Sequence, residues 1–178
     1  MSLEQFRDSL GDFARDTKIN LGSVLTEEGA PGLTLNQVRG TALACAYATG
    51  SVALRQALEV EFKESLTIEE VAAAKAAASI MAMNNVYYRF IHMLEDEEVG
   101  KLPAKLRMQV IGKPGIDKTT FEIYCLAVSA IAGCQNCVKS HAHELRKAGL
   151  SAEAVQSAAR IAAVINAAAS SAKMGTPT

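Results

Sequence analysis

Apolar residues recur at helical spacing almost from the start of the chain. Leu3, Phe6, Leu10 and Phe13 share one face of a segment opened by Ser2-Leu-Glu-Gln5, a capping box. Gly29-Ala-Pro-Gly32 breaks the pattern. It resumes at Thr34 and runs to about Thr49, with Leu35, Val38, Leu43 and Ala46 roughly on one side. Ser51 can cap a helix from Val52 to about Lys63, and Thr67-Ile-Glu-Glu70 is another capping box whose helix continues through the alanines to about Phe90. Glu95–Glu98 reads as a solvated helix end or turn, Leu102–Val110 as a short helix, and Gly112-Lys-Pro-Gly115 as a turn. Asp117 and Thr119 can each cap a helix over Thr120–Ala132. Gly133 starts Cys134–Ala148, Gly149 ends it, and Ser151 caps a last helix to about Lys173. No stretch alternates with the period of a strand, so the predicted fold class is all-α.

Composition agrees. Alanine, the best helix former, occupies 31 of the 178 positions, while Gly and Pro together number 16 and Trp is absent. That length suggests one domain or two small fused units, read here as a single domain over 1–178 and large enough for a core without disulfide or metal staples. An apolar fraction of 49% and a charged fraction of 21% exclude a disordered acidic or basic chain. Eighteen basic against nineteen acidic residues give a net charge of −1, which supports neither nucleic acid nor an anionic membrane as a partner. Apolar runs fall short of the ~18 residues needed to cross a bilayer: Lys75 interrupts Val71–Met83, and Ile161–Ala169 is short. The start carries charges every few residues and no secretory apolar region, so a cytoplasmic protein is expected.

An internal repeat emerges at an offset of 84 residues, laying 42–85 on 126–169. Leu66, Thr67 and Val71 then fall on Leu150, Ser151 and Val155, and Ala46, Arg55 and Ala78 on Ala130, Lys139 and Ala162. A duplicated three-helix unit is the reading, against chance agreement between two Ala-rich stretches. Under this offset Cys134, Cys137 and His141 fall on Gly50, Ala53 and Ala57, so only the second copy holds the chemistry and the first is scaffold.

That chemistry lies in Gly133-Cys134-Gln-Asn-Cys137-Val-Lys-Ser-His141-Ala-His143. On a helix, spacings of three and four put Cys134, Cys137 and His141 on one face, with His143 on the far, solvent side. Cys134 sits in the first turn, where unpaired N–H groups favour a thiolate. An imidazole one turn after Cys137 can take its proton, and a reversible Cys134–Cys137 disulfide is geometrically easy. Glu122, in the otherwise apolar Phe121–Ile131, is either a buried partner of His141 or a solvated first-turn carboxylate. Zinc would need a fourth ligand, and no second C-x-x-C or H-x-x-x-H-type pair is evident, so no metal is expected. Redox use of the dithiol is favoured over metal binding and over a purely structural pair. Cys45 and Cys125 lie in apolar helical runs as inert core residues.

With these residues in place the chain resembles the alkyl hydroperoxide reductase D family, the lipoyl-dependent peroxiredoxins of the carboxymuconolactone-decarboxylase-like superfamily. The resemblance covers nearly the whole chain. Its most specific parts are Met83-Asn-Asn-Val-Tyr-Tyr-Arg89, Leu106-Arg-Met108 with Pro114-Gly-Ile116, and Phe121-Glu122 before Ala127-Val-Ser-Ala-Ile131, followed by the C-x-x-C-x-x-x-H site. It implies a duplicated all-α fold and a homotrimer. It also implies weak antioxidant peroxidase activity, re-reduction by the lipoyl group of a dihydrolipoamide acyltransferase, and electron donation to the peroxiredoxin alkyl hydroperoxide reductase C. No tightly bound cofactor is then required. In the family the cysteine matching Cys137 attacks the peroxide, the one matching Cys134 resolves the sulfenic acid, and Glu122 and His141 match the proton relay. Family members often carry a histidine between the cysteines, where this chain has Asn136. Two other readings stand beside this one: a redox sensor or scaffold with a switchable dithiol, and a lactone decarboxylase, which has no evident need for a C-x-x-C pair.

Overall fold

A computed structural model describes residues 1–175, and the domain read over 1–178 therefore extends three residues beyond the described ones. Ten α-helices are present among the described residues, with no strand. They are α1 (Leu3–Ser9), α2 (Arg15–Val24), α3 (Leu35–Thr49), α4 (Val52–Glu61), α5 (Ile68–Leu94), α6 (Glu97–Lys101), α7 (Gln109–Gly112), α8 (Lys118–Ala132), α9 (Gln135–Lys147) and α10 (Ala152–Met174). Ser2, Thr34 and Thr67 form complete capping boxes, and Ser51 and Ser151 accept first-turn N–H groups as N-caps. Asp117, rather than Thr119, caps α8.

The core is built where α3, α5, α8 and α10 pack on one another. Central among them is α8, whose residues from Phe121 to Ser129 are all buried. Its neighbours present small residues, including buried Ala42, Ala44 and Ala46 on α3, Ala73, Ala74 and Ala77 on α5, and Ala158 and Ala162 on α10. Small side chains let these helices approach closely at native packing density. Gly40 of α3 is the limiting case, because a Cβ there would press on the Tyr124 ring of α8. Corresponding helices in 35–94 and 118–174 start 83, 83 and 84 residues apart.

Three sequence expectations fail. Phe13 is 54% exposed rather than on a buried face. The first helix stops at Ser9, a 3-10 turn follows at Asp12–Ala14, and α2 begins a new period that the apolar spacing did not reveal. The short helix expected over Leu102–Val110 is replaced by irregular chain up to Met108. Pro103 pushes Leu102 into extended backbone, and Lys105 turns left-handed at φ 51°. Finally, α5 runs four residues past Phe90, to Leu94. The acidic run is exposed as expected, with Glu95 closing α5 and Asp96 capping α6.

Substitutions at the α3–α8 contact should move stability in opposite directions. Gly40→Ala forces a methyl group into an occupied ring position and should cost about 1–3 kcal/mol, the usual range for overpacking. Tyr124→Phe removes a buried hydroxyl that has no hydrogen-bond partner and should be neutral or stabilising by up to about 1 kcal/mol. Urea unfolding followed by helical circular dichroism measures both.

Candidate active site

The site begins at the corner between α8 and α9. Gly133 (φ 67°) closes α8 in a left-handed conformation open to glycine at little cost. Gly133 N–H donates to Ala130 and Cys134 N–H to Ser129, the paired bonds of a Schellman motif. Arg89 of α5 donates to the Ala132 carbonyl at 2.7 Å, and His92 meets Gln135 at 2.9 Å, so α5 holds the corner from outside. Cys134 is therefore the N-cap of α9 rather than a residue of its first turn, and its sulfur accepts the Cys137 N–H at 3.4 Å. Cys134 and Cys137 are joined as a disulfide with Cα atoms 5.3 Å apart.

The buried stripe of α9 is Cys137, His141 and Leu145, spaced by four, with Val138 and Ala142 half-buried beside it and Gln135, Asn136, Lys139, Ser140 and His143 exposed. His143 is exposed, as its spacing predicts. Glu122, the open case from sequence, is 5% exposed and paired: His141 Nδ1 donates to its carboxylate at 2.6 Å. Burial of both groups makes this a strong, charge-assisted contact whose members depend on each other. With Nδ1 engaged, Nε2 is the ring nitrogen left to exchange a proton. It meets the Met81 sulfur of α5 at 3.2 Å rather than Cys137, whose own sulfur is held in the disulfide.

A cavity of about 500 Å³ opens over this group. Cys137, Glu122 and His141 line its reactive side, Asn84 and Tyr88 of α5 and Met108 and Ile111 its other walls, with Lys118 and Glu144 also bordering it. Cys137 lines the cavity; Cys134, fully buried, is not among the lining residues. Asn136 is exposed and also borders the cavity. A second space of about 260 Å³, lined by Lys118, Thr119 and Leu145 among others, also touches Glu122. Sequence reasoning did not single out Met81 or assign a role to Asn84 and Tyr88, because α5 reads as a uniform small-residue helix. Among the described residues no group of three or more His, Cys, Asp and Glu side chains is placed to hold a metal ion. No described helix is long and apolar enough to cross a membrane.

An all-α bundle with a disulfide-forming C-x-x-C pair at the start of a helix, backed by a buried carboxylate–imidazole pair, defines a thiol–disulfide protein. Residues 97–174 match the carboxymuconolactone decarboxylase family. The chain is 50% identical over 169 residues to a Rhizorhabdus wittichii protein named alkyl hydroperoxide reductase AhpD, covering 95% of this chain and 96% of that one. Proteins of the same name from Coxiella burnetii and Streptomyces griseus are each 50% identical over 167 residues, covering 92% and 94% of this chain and 93% of each relative. The chain belongs to the alkyl hydroperoxide reductase AhpD family, within the carboxymuconolactone decarboxylase-like superfamily.

The other two cysteines lie apart from this chemistry. Cys45 and Cys125 are free and buried, and burial pushes both thiols far above their ordinary value of 9.0, with the Glu122 charge adding to the effect at Cys125. The folded state keeps these protons to higher pH than the unfolded chain. The resulting stabilisation is complete below about pH 9 and is lost as pH rises further. The urea midpoint should therefore fall between pH 8 and pH 10. In the reduced native protein, iodoacetamide should modify Cys134 or Cys137 and reach Cys45 and Cys125 only after unfolding.

Proposed function

We propose that this chain is a dithiol peroxidase that reduces hydroperoxides through Cys134 and Cys137. The observation that carries this reading is the cavity-lining position of Cys137, disulfide-bonded to a fully buried Cys134 and beside the Glu122–His141 pair. The name carried by the relatives points the same way. In the reduced protein His141, oriented by Glu122, accepts the Cys137 proton. The Cys137 thiolate attacks the peroxide, becoming a sulfenic acid as the O–O bond breaks. The departing alkoxide takes the proton. Cys134 then displaces water from the sulfenic acid and forms the disulfide.

An external dithiol must restore the pair by thiol–disulfide exchange. The reductant in this reading is a lipoyl group on a dihydrolipoamide acyltransferase, which enters as a co-substrate, so no tightly bound cofactor is invoked. The pair can also pass electrons to a partner peroxiredoxin, alkyl hydroperoxide reductase C. The near-equal spacing of the two helical stretches supports a duplicated single domain whose first copy is scaffold. Val86, Phe90, Met93 and Leu94 form an exposed apolar ridge on α5, which supports assembly into a homotrimer.

The test is NADH oxidation coupled through dihydrolipoamide dehydrogenase and lipoamide to peroxide, with and without the partner peroxiredoxin. A peroxidase turns over, whereas a redox sensor oxidises once and stops. Cys134→Ser should abolish turnover yet accumulate a sulfenic acid that dimedone labels; equal labelling of Cys137→Ser would overturn the assignment of roles. His141→Gln and Glu122→Gln should each slow the oxidation step about 10²–10⁴-fold, the usual worth of general base catalysis, with helical content retained. Near-native rates in both would remove the relay.

A further inference from the structure

The second ring nitrogen of His141 has a partner that the chemistry above does not use. Nε2 lies 3.2 Å from the sulfur of Met81 on α5, and Met81 is fully buried. A thioether has no hydrogen to give and can only accept, so a contact this close needs the hydrogen on Nε2. The Ser129 hydroxyl also lies 3.4 Å from that sulfur, but its single hydrogen is better placed on Asn85 Oδ1 at 2.9 Å. The other side of the ring needs a hydrogen too, since 2.6 Å between Nδ1 and the Glu122 carboxylate is a short, charge-assisted bond. These two contacts together hold one hydrogen more than a neutral imidazole beside a carboxylate carries, whichever atom keeps the shared one. Lys118 on α8 and Glu144 on α9 are the other charges around the cavity. Helix α5 brings only the Tyr88 hydroxyl to the lining, Met108 and Ile111 bring no charge, buried Cys125 stays a neutral thiol, and Cys134 and Cys137 are taken up in the disulfide.

Resting on the proposed dithiol chemistry, we propose that Met81 is a positioning residue of the relay. Its sulfur holds the Nε2 hydrogen of His141 while the disulfide is closed, so the Glu122–His141 pair meets the reductant already loaded with a proton. In the reduced protein the ring must be free to accept the Cys137 proton, so the loading belongs to the disulfide state. The extra proton comes from water after the alkoxide has left, because oxidation itself is neutral: two thiols and a hydroperoxide give a disulfide, an alcohol and water. On reduction, a thiolate of the external dithiol attacks the Cys137 sulfur, and the electron pair of the broken S–S bond leaves on Cys134. The second thiolate of the reductant then attacks the reductant's sulfur in the mixed disulfide. Cys137 departs with that electron pair and takes the hydrogen from Nε2, while Cys134 takes a proton from water. The reductant has lost two electrons to the protein and its two protons to water. Met81 is not among the residues lining the cavity and acts through His141 alone.

Counting protons with an indicator dye in weak buffer reads this loading. Oxidation of the reduced parent by hydrogen peroxide near neutral pH should take up close to one proton per disulfide formed. Met81→Leu conserves volume but removes the acceptor, and should take up less than half as much. Its disulfide should also be reduced by dithiothreitol at least about tenfold more slowly, a part of the ~10²–10⁴-fold that proton transfer is worth. Met83→Leu, on the same helix, is the control and should match the parent. The inference is overturned by a parent that takes up no proton, by a Met81→Leu protein that matches the parent in uptake or in reduction rate, or by an equal loss in Met83→Leu, which marks a general loosening of α5. If the leucine variant folds poorly, nitrogen NMR of the His141 ring in the oxidised parent decides: hydrogen on Nε2 is expected, and a bare Nε2 overturns the inference. If peroxide does not oxidise the parent, the peroxidase reading fails instead. Diamide, which removes two electrons and two protons from the dithiol, then closes the disulfide, and the proton count still decides on Met81.

Discussion

The contact on which the site depends is the 2.6 Å hydrogen bond between His141 and Glu122. Glu122 is carried by the most enclosed helix of the bundle, among residues that are otherwise almost entirely apolar. A carboxylate in that setting is costly unless a donor meets it. The donor comes from α9, so this pair ties α9 to α8. The same bond selects which ring nitrogen is bound and turns the other towards α5. Packing, ring orientation and proton chemistry are here one constraint. Removing either partner leaves the other buried and unpaired, a larger loss than the bond itself.

Much of the bundle can be read from short local signals. Ser2, Thr34, Ser51, Thr67, Asp117 and Ser151 mark helix starts because a cap is a contact between near neighbours in sequence. Breaks that depend on backbone restriction were harder to see. Leu102–Val110 has helical spacing, yet Pro103 and the left-handed Lys105 prevent the helix. The C-x-x-C-x-x-x-H face was legible for the same reason as the caps, since all three residues lie within two turns. Glu122 was ambiguous because a helix buried on every side has no polar face against which to judge one carboxylate. Met81 could not be singled out, and Asn84 stood out only within the segment that carries the family resemblance, because an Ala-rich helix gives no hint which of its sides meets another helix.

Helix α5 joins the two halves of the structure. Its N-terminal half contributes alanines to the core, and its C-terminal half contributes Met81, Asn84, Tyr88 and Arg89 to the region of the disulfide. The contacts differ in kind. Asn85 and Arg89 meet hydrogen-bonding groups on α8 and its end, whereas Asn84 lines the cavity, with its backbone carbonyl 3.9 Å from the Cys137 sulfur. Helix α4 buries Leu54, Ala57 and Leu58, whereas α9 buries Cys137, His141 and Leu145. One helix supplies packing alone and the other supplies thiol and imidazole.

In the proposed reaction the division of labour between the two cysteines rests on exposure more than on electrostatics. Both sulfurs lie at the N-terminal end of α9, where the helix dipole favours an anion. Cys134 is the better placed for that effect, since it is the cap itself and its sulfur accepts a backbone N–H. On this ground alone the first cysteine would be the nucleophile. Yet Cys134 is fully buried, while Cys137 lines the cavity. A peroxide with any organic substituent has room to approach Cys137 only, and the sulfenic acid formed there needs no diffusing partner, because the second sulfur is already within bonding reach. In the proposed reaction the buried thiol therefore resolves what the accessible one begins, and the cap bond holds the resolving sulfur beside it.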